Sequence, residues 1–425
     1  ETALGLRPLY VEALEACAAA KEAKQDFTGA VVHLDRLLSE FPKEKKYYEM
    51  RGNLKFSSKE YDAAIADFSE WITLEKSAKA YYQRGRAKRM KLDPDGAIAD
   101  HTLALGIDKK YDWSYYDRAQ AWVDKGDPAA AIADLDRVLE IDPKWAWACS
   151  YRGTQKRTLK DVEGALADYT KAIELVPSQP VHYFNRGELL REKRDLEKAI
   201  ADYTKAIELK PDYLWAWNAR GIARNWKDDL EGSLADYDRA IELNKDIVVL
   251  YTNRALTRLK QKDYDGAVAD YDRALELKKD DPVLYVDRGK ARRRKGDRAG
   301  AIADYTKAIE LKPDYMPAWN WRGLLHEDMG DPDAALADHE RALALKETDP
   351  VLHVNRARMR LEKKDVDGAL ADYDRAIELA PDRPENYVLR AKARGRKGDL
   401  DGVIADYTKA IELNPQDADL LFERA

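Results

Sequence analysis

Arginine and aspartate, the pair able to form two parallel charge-assisted hydrogen bonds, recur in this chain at one fixed interval. The arginines are Arg51, Arg84, Arg118, Arg152, Arg186, Arg220, Arg254, Arg288, Arg322, Arg356 and Arg390, every step 34 residues except the first, which is 33. The aspartates are Asp67, Asp100, Asp134, Asp168, Asp202, Asp236, Asp270, Asp304, Asp338, Asp372 and Asp406. As a ligand site, a motif repeated so often needs a polymer for a partner. As an internal device it is an ion-pair ladder inside a stack of like units, and its regularity favours that use. Cys17 and His33 stand where the first unit should carry its arginine and aspartate, so the two types disappear together.

Other reactive groups form no catalytic constellation. Of six histidines, His101, His339 and His353 take core aromatic positions, His33 replaces a ladder aspartate, and His182 and His326 are isolated. There is no His-Glu-x-x-His, no spaced Cys/His set, no phosphate-binding glycine loop and no Gly-x-Ser-x-Gly. No catalytic residue, cofactor site or metal site is expected. Cys17 and Cys149 are too far apart in a stacked array for a structural disulfide. The net charge of −6 gives no global attraction to nucleic acid or anionic lipid. No apolar run is long enough to span a membrane, so no insertion is expected. The chain begins at Glu1, which fits a processed or trimmed N-terminus. The compartment stays open, leaning to the cytoplasm with secretion or the periplasm as alternatives, and the oligomeric state is not readable.

The elements that must position the ladder follow from the same period. Numbering each unit 1 to 34 puts the ladder arginine at position 7 and the aspartate at 23. In Pro282 to Tyr315, apolar residues recur at helical spacing twice, interrupted at Gly296-Asp297 and stopped at Pro313. Each unit is therefore a helix-turn-helix. Position 16 is aspartate in every unit but one, where it is Glu60, and it suits the N-cap of the second helix. Position 8 is always Gly or Ala, and position 20 is Ala except for Ser233 and Val403, so two helix axes can approach closely. A period of this length marks a stacked repeat architecture. The expected fold is all-α: a right-handed superhelical solenoid of antiparallel helix pairs, twelve units plus a partial thirteenth. Residues 1–425 are read as one continuous array. Its units open near 11, 45, 78, 112, 146, 180, 214, 248, 282, 316, 350 and 384, and a partial unit or capping helix occupies 418–425.

The pattern Tyr/Trp-x2-Arg-Gly, then Ala-x3-Tyr, then Pro resembles the tetratricopeptide repeat, whose motif is Trp-x2-Leu-Gly-x2-Tyr, Ala-x3-Phe and Pro. It is most similar to bacterial repeats of the Asn-Arg-Gly…Ala-Asp-Tyr form. The departures are Arg at position 7 and mostly Lys or Arg at position 11, namely Lys55, Lys88, Lys156, Arg224, Arg258, Arg292, Arg360 and Arg394.

The resemblance implies that the first helices line a concave groove, with positions 2, 5, 9, 12 and 13 turned into it. Carried over, these positions give Tyr82, Arg86, Arg89, Trp113, Tyr116, Trp147, Phe184, Trp215 and Trp226 in the middle repeats, and Lys290, Arg293, Arg294, Arg358, Lys392 and Arg396 in the later ones. Asn218 and Asn320 are placed to hydrogen-bond an extended backbone. The family reading is a non-enzymatic adaptor holding a peptide or partner protein in the groove, its basic end favouring an acidic stretch. The alternatives are the recognition region of a larger enzyme or assembly, and a helical-repeat protein binding nucleic acid or glycan. The net charge and the 34-residue period weigh against nucleic acid.

Overall fold

The structure, a computed structural model, describes residues 2–417 and 423, with side chains from Tyr10 onward. Among the described residues there are 24 helices and no strand. They alternate as first and second helices of antiparallel pairs. First helices begin at Thr2, Lys45, Ala78, Asp112, Ala146, Pro180, Leu214, Val248, Pro282, Met316, Pro350 and Pro384. The chain divides into two compact units, Glu1–Ala216 and Trp217–Ala425. Within each, the two helices of a pair pack together and the second packs on the first helix of the next pair. The expected start of a thirteenth repeat, at Leu420, Leu421, Phe422, Arg424 and Ala425, lies outside the described residues.

Local chemistry explains the turns. The position-16 aspartates cap the second helices: Asp263 Oδ1 accepts from the Gly266 N–H at 2.9 Å and Asp297 Oδ1 from the Gly300 N–H at 2.9 Å. Glu60, one methylene longer, makes no such bond. The residue before the cap is left-handed. Glycine supplies this at Gly126, Gly296, Gly330 and Gly398, while Leu92 and Lys262 among others adopt it with φ near 65°, a conformation that strains a side chain bearing Cβ.

Within each pair the small and large residues interlock. Ala165, Ala199, Ala267 and Ala301 at position 20 are fully buried, as are Tyr169, Tyr203 and Tyr305 at position 24. The Gly289 Cα packs against the Tyr305 ring so closely that a Cβ there would lie 2.5 Å from Cε1. His101 and His339 occupy the same position as those tyrosines and are fully buried. Burial pushes the His101 imidazole down to about 3 and that of His339 to about 4. Neither ring nitrogen of His339 has a hydrogen-bond partner. The histidines in the core are packing residues, and His182 joins them: it too is fully buried, held neutral by the same desolvation.

The ladder is real, and on eight of its eleven rungs a position-11 cation makes a third member. Arg288 Nε donates to Asp304 Oδ2 at 3.0 Å and its NH2 to Oδ1 at 2.6 Å. Arg292, at position 11, brings NH1 to Asp304 Oδ2 at 2.9 Å. The remaining Arg288 nitrogen reaches back to Asp272 in the preceding repeat at 2.6 Å, and the Tyr285 ring lies 5.4 Å from the guanidinium carbon. The pairing is thus within the repeat, and the link to the preceding repeat goes to position 25 instead. That position is Asp35, Asp136, Asp238, Asp272 or Asp374 on five rungs and Ser69, Thr102, Thr170 or Thr306 on four. Other position-11 cations complete their rungs in the same way, for example Lys88 to Asp100 at 2.8 Å and Lys156 to Asp168 at 2.9 Å, while Trp122, Leu190 and His326 hold that position on the remaining three.

A buried carboxylate neutralised by two cations is costly to remove, because the cations stay partly desolvated. Asp304→Ala is expected to destabilise by about 3–5 kcal/mol, whereas Glu310→Ala, which breaks the exposed Lys307–Glu310 pair, should change stability by less than about 0.5 kcal/mol. Urea midpoints of the two variants check this, and equal midpoints would remove the ladder from the stability of the fold. The histidines give a second expectation. With its folded pKa near 4, His339 stays neutral in the native state while the unfolded chain protonates below about 6.5. Stability is therefore full above that value and falls as pH drops from about 6.5 towards 4, by about 1.4 kcal/mol per pH unit for each such histidine. His339→Phe should gain about 2 kcal/mol more, relative to the parent, at pH 5 than at pH 7.5; a shift in urea midpoint equal at both pH values contradicts it.

Candidate functional site

With the ladder, caps and core assigned, the candidate site is built from the outward residues of the first helices. In Glu1–Ala216 these are mainly aromatic. Tyr82 packs on Tyr111 with ring centroids 5.0 Å apart, Tyr116 stacks on Trp145 at 5.0 Å and 22°, and Phe184 meets Tyr213 at 5.1 Å. In each case position 5 meets position 34 of the same repeat, just before the next first helix. Sequence reasoning placed Tyr82, Tyr116 and Phe184 on this face but missed Tyr111, Trp145 and Tyr213. The recurring 29-residue spacing between the two aromatics was the available signal. Burial pushes the Tyr82 phenol up, and that of Tyr111 up to about 12, so both remain neutral hydroxyls.

Beside these pairs stand the position-2 tryptophans. Trp113 meets the Trp145 ring edge-on at 4.6 Å and Trp147 meets His182 edge-on at 5.1 Å. Packing on the neighbour leaves much of each ring in water: Trp113 is 51% exposed, Trp147 46% and Trp215 47%. The two arginines assigned to this face are already engaged. Arg86 lies 4.8 Å from the Phe56 ring and 3.6 Å from Asp117. Arg89 binds Asp124 at 2.6 Å and also bonds Gln120.

In Trp217–Ala425 the outward groups are mainly cationic. Lys290 is paired with Asp287 at 2.9 Å and lies 5.2 Å from the centre of the Trp321 ring. Arg293 lies 5.7 Å from the same ring and binds Asp328 at 2.6 Å. These groups, with Arg294, Gly296, Arg298 and Leu325, line a cavity of about 490 Å³. A second cavity of about 480 Å³ brings together Arg358, Lys392 and Arg396 over Met359, Leu361, Leu389 and Tyr373. Arg358 pairs with Glu327, whose carboxyl is pushed up by burial, and Arg396 donates to the Leu361 carbonyl at 3.3 Å. Trp226 is 41% exposed.

The two asparagines also bond within the stack. Asn218 is buried and its Oδ1 accepts from Asn253 Nδ2 at 3.0 Å. Asn320 accepts in the same way from Asn355 at 2.9 Å. Both tie successive first helices together. Trp321, by contrast, sits at position 6, outside the positions read as groove-lining, yet it supports two cations. Its size alone, among the smaller residues at position 6 of most repeats, was the clue.

No curated protein matches the chain. Among solved structures, yeast Tom70 aligns over 90% of this chain and 94% of its own at 18% identity, with a TM-score of 0.46. The APC/C hetero-tetramer Cut9-Hcn1 aligns over 97% and 95% at 13% identity and a TM-score of 0.45. A tetratricopeptide repeat protein from Parabacteroides merdae aligns over 59% of this chain and 99% of its own at 21% identity, with a TM-score of 0.46. Sequence models described as tetratricopeptide repeat match residues 114–144, 180–213, 248–281, 323–384 and 384–417, and one described as TPR repeat matches 289–330. Together these cover more than half of the chain, in register with the ladder and the helix pairs, and the chain belongs to the tetratricopeptide repeat family.

Proposed function

We propose that this protein is a non-enzymatic scaffold that holds a peptide segment or partner protein on the face of its first helices. Tetratricopeptide repeat proteins are in general protein-interaction scaffolds, and the finer reading rests on one observation. The regular polar positions are consumed by the framework, while the irregular position-2 residues Trp113, Trp147 and Trp215 keep about half of their surface in water. Large aromatic rings held rigidly by neighbours are efficient anchors, since binding buries much area at little further entropic cost. The cations Lys290, Arg293, Arg294, Arg358, Lys392 and Arg396 give the first helices of residues 217–425 a preference for an acidic segment.

The histidines support the non-enzymatic part of this reading. His101, His182 and His339 are sealed in the core and held neutral, which suits packing and not proton transfer to a substrate. Capture of the partner by pull-down, followed by crosslinking, should map to the first-helix face. Trp113→Ala/Trp215→Ala should weaken capture at least about thirtyfold, the effect of losing one anchor of about 2 kcal/mol, with the helical circular dichroism unchanged. Full capture by the folded double variant sinks the aromatic-anchor reading.

A further inference from the structure

The cavity around Trp321 has a charge balance unlike that of the ladder rung beside it. On the adjoining ladder rung, cations and carboxylates are matched: Arg288 and Arg292 share Asp304, and Arg288 also holds Asp272. Four cations line the Trp321 cavity. Lys290 and Arg293 have acid partners, Asp287 and Asp328. Arg294 and Arg298 are exposed and, among the described residues, form no ion pair or hydrogen bond. Two positive charges are therefore left over in a cavity of about 490 Å³, large enough for a functional group to enter.

The placement of these cations adds to the count. Lys290 and Arg293 are both held over one indole ring, which limits the freedom they must lose when a ligand arrives. Arg294 follows directly on Arg293 near the end of the helix Pro282–Lys295, and Arg298 opens the helix Arg298–Leu311. The surplus charge thus flanks the left-handed turn at Gly296 from both sides. A single carboxylate would satisfy half of this surplus. A phosphate monoester, with a charge near −2 and three acceptor oxygens, matches it in charge, and its oxygens suit the forked donors of two guanidiniums.

We propose that this cavity binds a phosphate monoester dianion, and that its source is a phosphorylated side chain of the partner segment. The assignment of the source rests on the scaffold reading above; the anion site itself rests on the cavity alone. Recognition by the later repeats then depends on prior phosphorylation of the partner.

Isothermal titration calorimetry of the full chain at pH 8 tests both parts. The probes are phenyl phosphate, benzoate and inorganic phosphate, with a glycine-flanked phosphotyrosine pentapeptide and its unphosphorylated form. Phenyl phosphate and the phosphopeptide should bind at least about tenfold more tightly than benzoate and the unphosphorylated peptide. Arg294→Ala/Arg298→Ala should abolish that preference with circular dichroism unchanged, since both side chains are exposed and alanine is a strong helix former. Lys409→Ala, which removes an exposed cation paired with Glu412 outside the cavity, should leave it intact. Phenyl phosphate binding no better than benzoate, or undiminished binding by the double arginine variant, overturns the site. Inorganic phosphate binding as tightly as the phosphopeptide overturns the partner segment as its source. None of these results bears on partner capture through Trp113 and Trp215, so the scaffold reading stands or falls separately.

Discussion

The structure depends on a carboxylate that has almost no contact with water. Asp304 and its equivalents are nearly inaccessible, and a lone charge in such a place would be intolerable. Each is rescued by the position-7 arginine of the facing helix, joined on eight of the eleven rungs by a second cation four residues on that projects from the same side. The bidentate grip of position 7 fixes the two helices in rotation and in height, because a guanidinium fork tolerates little sliding. The third nitrogen then carries the constraint into the preceding repeat through position 25. One arginine thereby spans three helices, and a stack assembled from identical rungs keeps one register within each unit.

This explains departures that look costly in isolation. A leucine at position 7 would contribute apolar burial without a desolvation penalty, and buried ion pairs seldom surpass hydrophobic replacements in net stability. What the polar rung adds is direction. Its geometry is met in one register only, whereas an apolar face packs in several. The aromatic at position 4 belongs to the same device: Tyr81, Tyr251, Tyr285 and Trp319 each lie within 6 Å of their rung arginine, shielding it from water on the open side.

Much of the fold was legible because the framework lives at positions that do not vary. The Gly289 and Tyr305 pair, the position-16 caps and the helix-stopping prolines are all one-dimensional signals, repeated often enough to be unambiguous. The part played by position 11 was less legible. Its basic residues were visible as a departure, but that Arg292 and Arg288 share one carboxylate depends on helix rotation, which the period does not state. The outward face was harder still. Arg157 finds Glu192 and Arg293 finds Asp328 at 35 residues, while Arg89 finds Gln120 and Arg358 finds Glu327 at 31. These contacts run between neighbouring first helices and skip the exact repeat length, so aligning one repeat under another hides them. The Asn218–Asn253 bond was hidden in the same way, since Asn253 lies one residue beyond the repeat.

A stack in which each repeat touches only its neighbours separates stability from recognition. The rung is satisfied by its own repeat and the one before it, so a residue at position 2, 9 or 13 can change without disturbing it. Such positions have diverged in kind as well as in size. Residues 1–216 carry tryptophans where other repeats carry lysine or valine, and residues 217–425 carry arginines in excess of their acid partners. Neither feature lowers the free energy of the fold in an obvious way. An indole half in water forgoes burial, and an unpaired arginine beside other cations is repelled by them. Features that cost stability and that the repeat does not require are where a binding function is to be sought. In this chain they lie on the first helices and at the turn beside Gly296, and not on the ladder that first draws the eye.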